Sequence, residues 1–159
     1  MTGLPGTVTF KCKDGLIFAA NPITRYGSTL KGTNVERFAQ YGQNMVFLAS
    51  GDGSDFQKLN ELMNKKWYED SVYGDLTEPD VEKYAHYLKN ECYRKRGKID
   101  PYLIDASLGG FDLDGNARLF YVDQFGTMFE KDYLTTGFAN YMLPAFIGKF
   151  FLDFTKKKL

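Results

Sequence analysis

Residues 7–50 carry the signature of strands and residues 54–97 that of helices. A chain that keeps the two apart layers helices against antiparallel sheet instead of weaving βαβ units, so the class is α+β. Residues 7–13 alternate and are β-prone, and Asp14-Gly15 is a hairpin turn signal. Residues 16–20 are apolar at five successive positions, which predicts a central strand buried on both faces. Residues 35–40 and 45–50 make a second strand pair across Tyr41-Gly42-Gln43-Asn44, and no proline interrupts any of the four.

The period then changes. Ser54 followed by Gln57 fits a capping box, and Phe56, Leu59, Leu62, Met63 and Trp67 recur at helical spacing. A second helix is predicted to open near Thr77-Glu78-Pro79, with Glu78, Asp80 and Glu82 complementing its positive end. Its apolar stripe is Val81, Tyr84, Ala85, Leu88 and Cys92; Arg94, Lys95 and Arg96 occupy the last turn and Gly97 closes it. Strand patterns return over residues 103–111, 117–122 and 127–130, with turns at Asp114-Gly115-Asn116 and Gln124-Phe125-Gly126. Residues 137–154 are helical and strongly apolar. With no repeat, linker or low-complexity stretch, residues 1–159 read as one domain.

A hydrophobic content of 43 % is enough for a core, and 14 Phe and 11 Tyr suit large buried contacts, internal or with partners. Lys plus Arg and Asp plus Glu balance at 20 each, which leaves no electrostatic footprint for nucleic acid or an anionic membrane. The basic runs at 94–98 and 156–158 read as solvated ends. No stretch of about 18 apolar residues predicts a membrane helix, and residues 1–6 lack the basic and apolar regions of a secretory signal. Cys12, in a predicted strand, and Cys92, on a helix stripe, are expected to be reduced core thiols. His86 lies off its helix stripe and is expected at the surface, so no Ser/His or Cys/His scheme has a candidate base. No cofactor or metal site is expected.

The strand–turn–strand start and Gly-Asp-Gly-Ser-Asp at 51–55 opening a helix resemble the beta-type subunits of the eukaryotic 20S proteasome. The non-catalytic beta-seven type is the nearest match, through Tyr26-Gly27-Ser28, Val35-Glu36-Arg37 and Ser50-Gly51-Asp52. Tyr93-Arg94-Lys95-Arg96, Asp100-Pro101, Tyr121-Val122-Asp123 and Thr136-Gly137-Phe138 join them in the same order. The resemblance implies a four-layer αββα sandwich of the N-terminal nucleophile hydrolase type. Family members continue past the third helix with a fourth helix and closing strands, so either the sequence ending at Leu159 is part of a longer chain, the favoured reading, or neighbours cover the gap.

In active members of that family an N-terminal threonine attacks the peptide carbonyl, helped by its own amine, an Asp, a Lys and a glycine N–H. Here Gly6-Thr7 looks like the self-cleavage junction. Counting back from Asp14-Gly15, however, puts the nucleophile position about two residues earlier, on Pro5. Either Pro5 occupies it and no nucleophile exists, or Thr7 does on a shortened strand; a structural threonine is the favoured reading. The Asp position, preceded by Ala19-Ala20, is Asn21, which cannot carry the charge. The Lys position is Arg37, which keeps its proton and cannot relay it. Gly51 matches the oxyanion glycine, though a glycine at such a corner serves backbone geometry equally well, and Thr136 falls on an assisting serine. With both charged positions lost, the remnant expected is an Arg37 contact with Asn21 and nearby carbonyls.

What the resemblance implies is therefore a structural subunit of the β ring, supporting ATP- and ubiquitin-dependent degradation by the assembled particle in cytoplasm and nucleus. Its partners would be other β subunits and α subunits in stacked heptameric rings, with Tyr68, Tyr73, Tyr87 and Tyr133 as candidate contacts. The alternative is an active threonine peptidase with Thr7 as nucleophile.

Overall fold

The computed structural model describes residues 3–74 and 80–156. The first half contains β1 (Gly3–Leu4), β2 (Thr7–Cys12), β3 (Gly15–Ala20), β4 (Thr24–Tyr26), β5 (Thr29–Gly32), β6 (Phe38–Tyr41) and β7 (Met45–Asp52). Helices α1 (Gly53–Tyr73) and α2 (Val81–Lys95) follow, then β8 (Ile104–Phe111), β9 (Ala117–Asp123), β10 (Met128–Glu130), β11 (Tyr133–Thr135) and α3 (Ala139–Lys156).

All described strand pairs are antiparallel. The larger sheet runs β10-β9-β8-β7-β1-β4-β5 and the smaller β11-β2-β3. One edge of β7 pairs with β8; the other is shared, with β6 along residues 45–48 and β1 along residues 51–52.

Strand alternation sorts the side chains. Met45, Phe47 and Ala49 of β7, Ile104, Ala106 and Leu108 of β8, and Phe120 and Val122 of β9 join the stripes of α1 and α2 in one core. Each fully buried Leu or Phe there contributes about 1.5–3 kcal/mol. The intervening residues meet the smaller sheet: Thr9 Oγ1 lies 3.3 Å from Ser107 Oγ. A side chain at Gly109 would strike the Phe18 ring at 2.7 Å, so glycine there lets the sheets close up. Helix α3 lies against β11.

The predicted stripe of α2 is buried in full, and in α1 Phe56, Leu59 and Met63 are buried with Leu62 and Trp67 packed against them. Several expectations need correction. The cap of α1 is Asp52, whose side chain accepts from the Ser54 N–H at 2.9 Å; Ser54 is already inside the helix. Asp80 caps α2 in the same way, while Thr77-Glu78-Pro79 lies outside the described residues. β3 is an edge strand, not a central one: among the described residues nothing pairs with its outer edge, and Ile17 is 46 % exposed. The predicted strand at 35–40 begins only at Phe38, because the Val35 N–H is engaged by the Pro22 carbonyl at 3.0 Å. Cys12 is exposed at the end of β2, whereas Cys92 is buried; both are free. α3 starts at Ala139, after Gly137 has turned the chain with φ 59°. His86 is exposed, as expected. No helix among the described residues is long and apolar enough to cross a membrane.

Candidate functional site

The head of β2 brings Thr7 inside the molecule, 1 % exposed. Its hydroxyl lies 2.8 Å from that of Thr136, also buried, and either can donate. The backbones clasp as well: the Thr136 N–H donates to the Thr7 carbonyl at 3.0 Å, and the Thr7 N–H points at the Thr136 carbonyl and hydroxyl, each at 3.3 Å. The positive φ of Gly137 makes this possible, since it turns the chain from β11 into α3 directly after Thr136.

Arg37 lies just before β6 and is 2 % exposed. Its Nη1 donates to the Asn21 carbonyl, and its Nη2 donates to the carbonyls of Pro5 at 2.5 Å and Ala49 at 3.0 Å. Nε is buried with no partner among the described residues. Burial draws the guanidinium pKa down to about 10, which leaves it cationic at neutral pH. The contact expected between Arg37 and Asn21 is therefore present, through the backbone. The Asn21 side chain turns instead to its own loop, where Oδ1 accepts from the Ile23 N–H at 3.0 Å.

Gly51 has φ 115°, and a Cβ there would meet the Leu103 carbonyl oxygen at 2.2 Å, so backbone geometry alone demands glycine. Leu4 of β1 stands opposite it in the ladder. An open depression of about 500 Å³ beside it is bordered by Ser50, Asp105 and Gly137, and the Asp105 carboxylate accepts from the Tyr121 hydroxyl at 2.9 Å. Burial, with Asp105 beside it, pushes that phenol well above its usual range. The candidate positions thus form two pairs, Thr7 with Thr136 and Arg37 with Asn21, while Gly51 lines the corner beyond β1. Of the partners that hold Arg37, the carbonyls of Pro5 and Ala49 left no mark in the sequence, because any residue supplies a carbonyl. Among the described residues no group of His, Cys, Asp and Glu could hold a metal ion.

These positions hold a cation surrounded by neutral acceptors, two mutually bonded hydroxyls and an amide turned to its own loop. Antiparallel sheets with helices packed against them form an α+β fold, the class to which the N-terminal nucleophile hydrolases belong. The profile described as "Proteasome subunit" matches residues 5–159. Proteasome subunit beta type-4 of Arabidopsis thaliana is 33 % identical over 135 residues, 85 % of this chain and 54 % of that protein. The probable proteasome subunit beta type-7 of Schizosaccharomyces pombe is 32 % identical over 145 residues, 89 % of this chain and 55 % of its own. The beta type-7 subunit of Saccharomyces cerevisiae is 31 % identical over 146 residues, with the same coverage. This chain belongs to the proteasome subunit family, as a beta subunit. It spans about half the length of the curated relatives it matches.

Proposed function

We propose that this chain is a non-catalytic, structural subunit of the β ring of the 20S core particle, built as part of a four-layer αββα sandwich. It contributes contacts, not chemistry, to the ATP- and ubiquitin-dependent degradation carried out by the assembled particle in cytoplasm and nucleus. Its neighbours are other β subunits and an α subunit. The observation that carries this reading is the state of Arg37: the position at which the resemblance calls for a proton-shuttling lysine holds a buried guanidinium committed to three backbone carbonyls. Asn21 adds no compensating carboxylate, so the electrostatic preorganisation that supplies most of such catalysis is missing. Tyr68 and Tyr73, 63 % and 86 % exposed, suit a docking face, while Tyr87 and Tyr133 are partly buried within the chain.

The hydroxyl pair of Thr7 and Thr136 is what favours the alternative, an active threonine peptidase with Thr7 as nucleophile. Particles carrying this subunit, treated with an epoxyketone and analysed by intact mass and N-terminal sequencing, separate the two. The expected result is an unmodified subunit in which Thr7 is internal. A subunit that starts at Thr7 and carries the adduct there sinks the structural reading.

A further inference from the structure

The hairpin of β4 and β5 is weakly founded. Of its residues only Thr24 is buried; Tyr26 and Leu30 are 58 % and 53 % exposed. A two-stranded hairpin with so little apolar burial is marginal by itself. It reaches the rest of the larger sheet through β1 alone, since β4 pairs with β1 and β1 with β7, while β5 pairs only with β4 among the described residues. The connecting strand is two residues long: Gly3 stands between Arg25 on one side and Asp52 on the other, and Leu4 faces Gly51.

So short a strand needs an anchor, and the following residues supply it. The Pro5 carbonyl accepts from Arg37 Nη2 at 2.5 Å, and the same guanidinium holds the Asn21 carbonyl at the lead-in to β4 and the Ala49 carbonyl on β7. One buried cation thus fixes the residue that follows β1 together with the two segments that β1 stitches together. Gly6 is locked in turn: a Cβ on it would meet the Thr136 carbonyl oxygen at 2.4 Å and the Ala139 nitrogen at 2.6 Å.

We propose that residues 3–6 are a tether strand, anchored by Arg37 through Pro5, that holds the β4–β5 hairpin in the larger sheet. Cutting the Gly6–Thr7 bond would sever that tether, so residues 3–6 are a working part of the fold. The tether stands or falls apart from the non-catalytic reading: a failure here leaves Arg37 and Asn21 as they are.

Amide hydrogen exchange on the full chain tests it. Leu4→Pro withdraws a backbone donor from one of the two paired residues of β1, whereas Leu4→Ala keeps it. In Leu4→Pro, amides of residues 25–32 should exchange at least about tenfold faster, with those of β8 and β9 unchanged, and Leu4→Ala should match the unaltered chain. Unchanged exchange over residues 25–32 in Leu4→Pro overturns the proposal. So does equal acceleration in both variants, which would assign the hold to the side chain and not to strand pairing. Acceleration spread through β8 and β9 also overturns it, because residues 3–6 would then belong to the global core. In the unaltered chain the amides of β1, β4 and β5 should share a single opening rate, faster than that of β8 and β9; distinct rates for β1 and the hairpin contradict the tether.

Discussion

Among the described residues no carboxylate pairs with the buried Arg37 cation, and its position depends on backbone carbonyls from three separate segments. Removing it leaves the buried Ala49 carbonyl short of a partner away from water, and the part-buried carbonyls of Pro5 and Asn21 short of theirs. Arg37→Met should therefore cost about 2–4 kcal/mol in unfolding free energy by urea titration. Arg37→Lys should fall between the two, since an ammonium is a point donor that cannot reproduce the fork. Gly51→Ala should destabilise by at least about 2 kcal/mol in the same assay, through the Leu103 carbonyl and the left-handed φ together. Asn21, Arg37 and Gly51 could be singled out through the resemblance, because the chemistry of the family's site restricts side-chain type at the matching positions. The resemblance also places Thr136 beside the nucleophile position and carbonyls around Arg37, but not which carbonyls, nor that the Thr7 and Thr136 hydroxyls, 129 residues apart, bond to each other.

Helices α1 and α2 were legible because each carries its own period, and their stripes meet a core whatever lies beneath. Strands were legible only as far as local pattern decides them. Two-residue β1 has no pattern, β4, β5 and β11 are three or four residues long, and the edge position of β3 depends on which strands reach it, a non-local outcome. The pairing of α1 with α2 also has an electrostatic side. Asp70 of α1 accepts from Lys66 Nζ at 2.6 Å, and from Lys83 Nζ and the Tyr84 hydroxyl of α2 at 3.0 Å each. Burial pushes the Asp70 carboxyl up, but these three donors outweigh it and hold it below the usual carboxylate range. A carboxylate lowered in the folded state adds stability above its unfolded pKa of about 3.9 and loses it as pH falls through the folded value. Asp70→Asn should thus lower stability by about 1 kcal/mol at pH 7. The gap to the unaltered chain should close as the pH is taken below about 4, read as Tm by circular dichroism across the pH series. A gap that stays constant over the series would mean packing, and not the charge, is what Asp70 supplies.

At the scale of the whole molecule the segregation of strands from helices gives the class, while the face each strand turns to which sheet emerges only when the two sheets come together. A molecule with zero formal net charge has little long-range repulsion to keep copies apart. Its exposed apolar residues include Phe138, Tyr141, Met142 and Phe146 around the start of α3, as well as Ile17 on β3. The outer edge of β3 is unpaired among the described residues, which makes it a template for strand addition. Self-association of the isolated chain should therefore run through β3 in preference to the helices. Ile17→Lys places a charge on that edge strand at a position already 46 % exposed, so it should leave thermal stability within about 0.5 kcal/mol while suppressing aggregation in light scattering. Aggregation undiminished by Ile17→Lys would shift the blame to the aromatic surface of α3, where Tyr141→Glu, at a residue 86 % exposed, is the matching substitution.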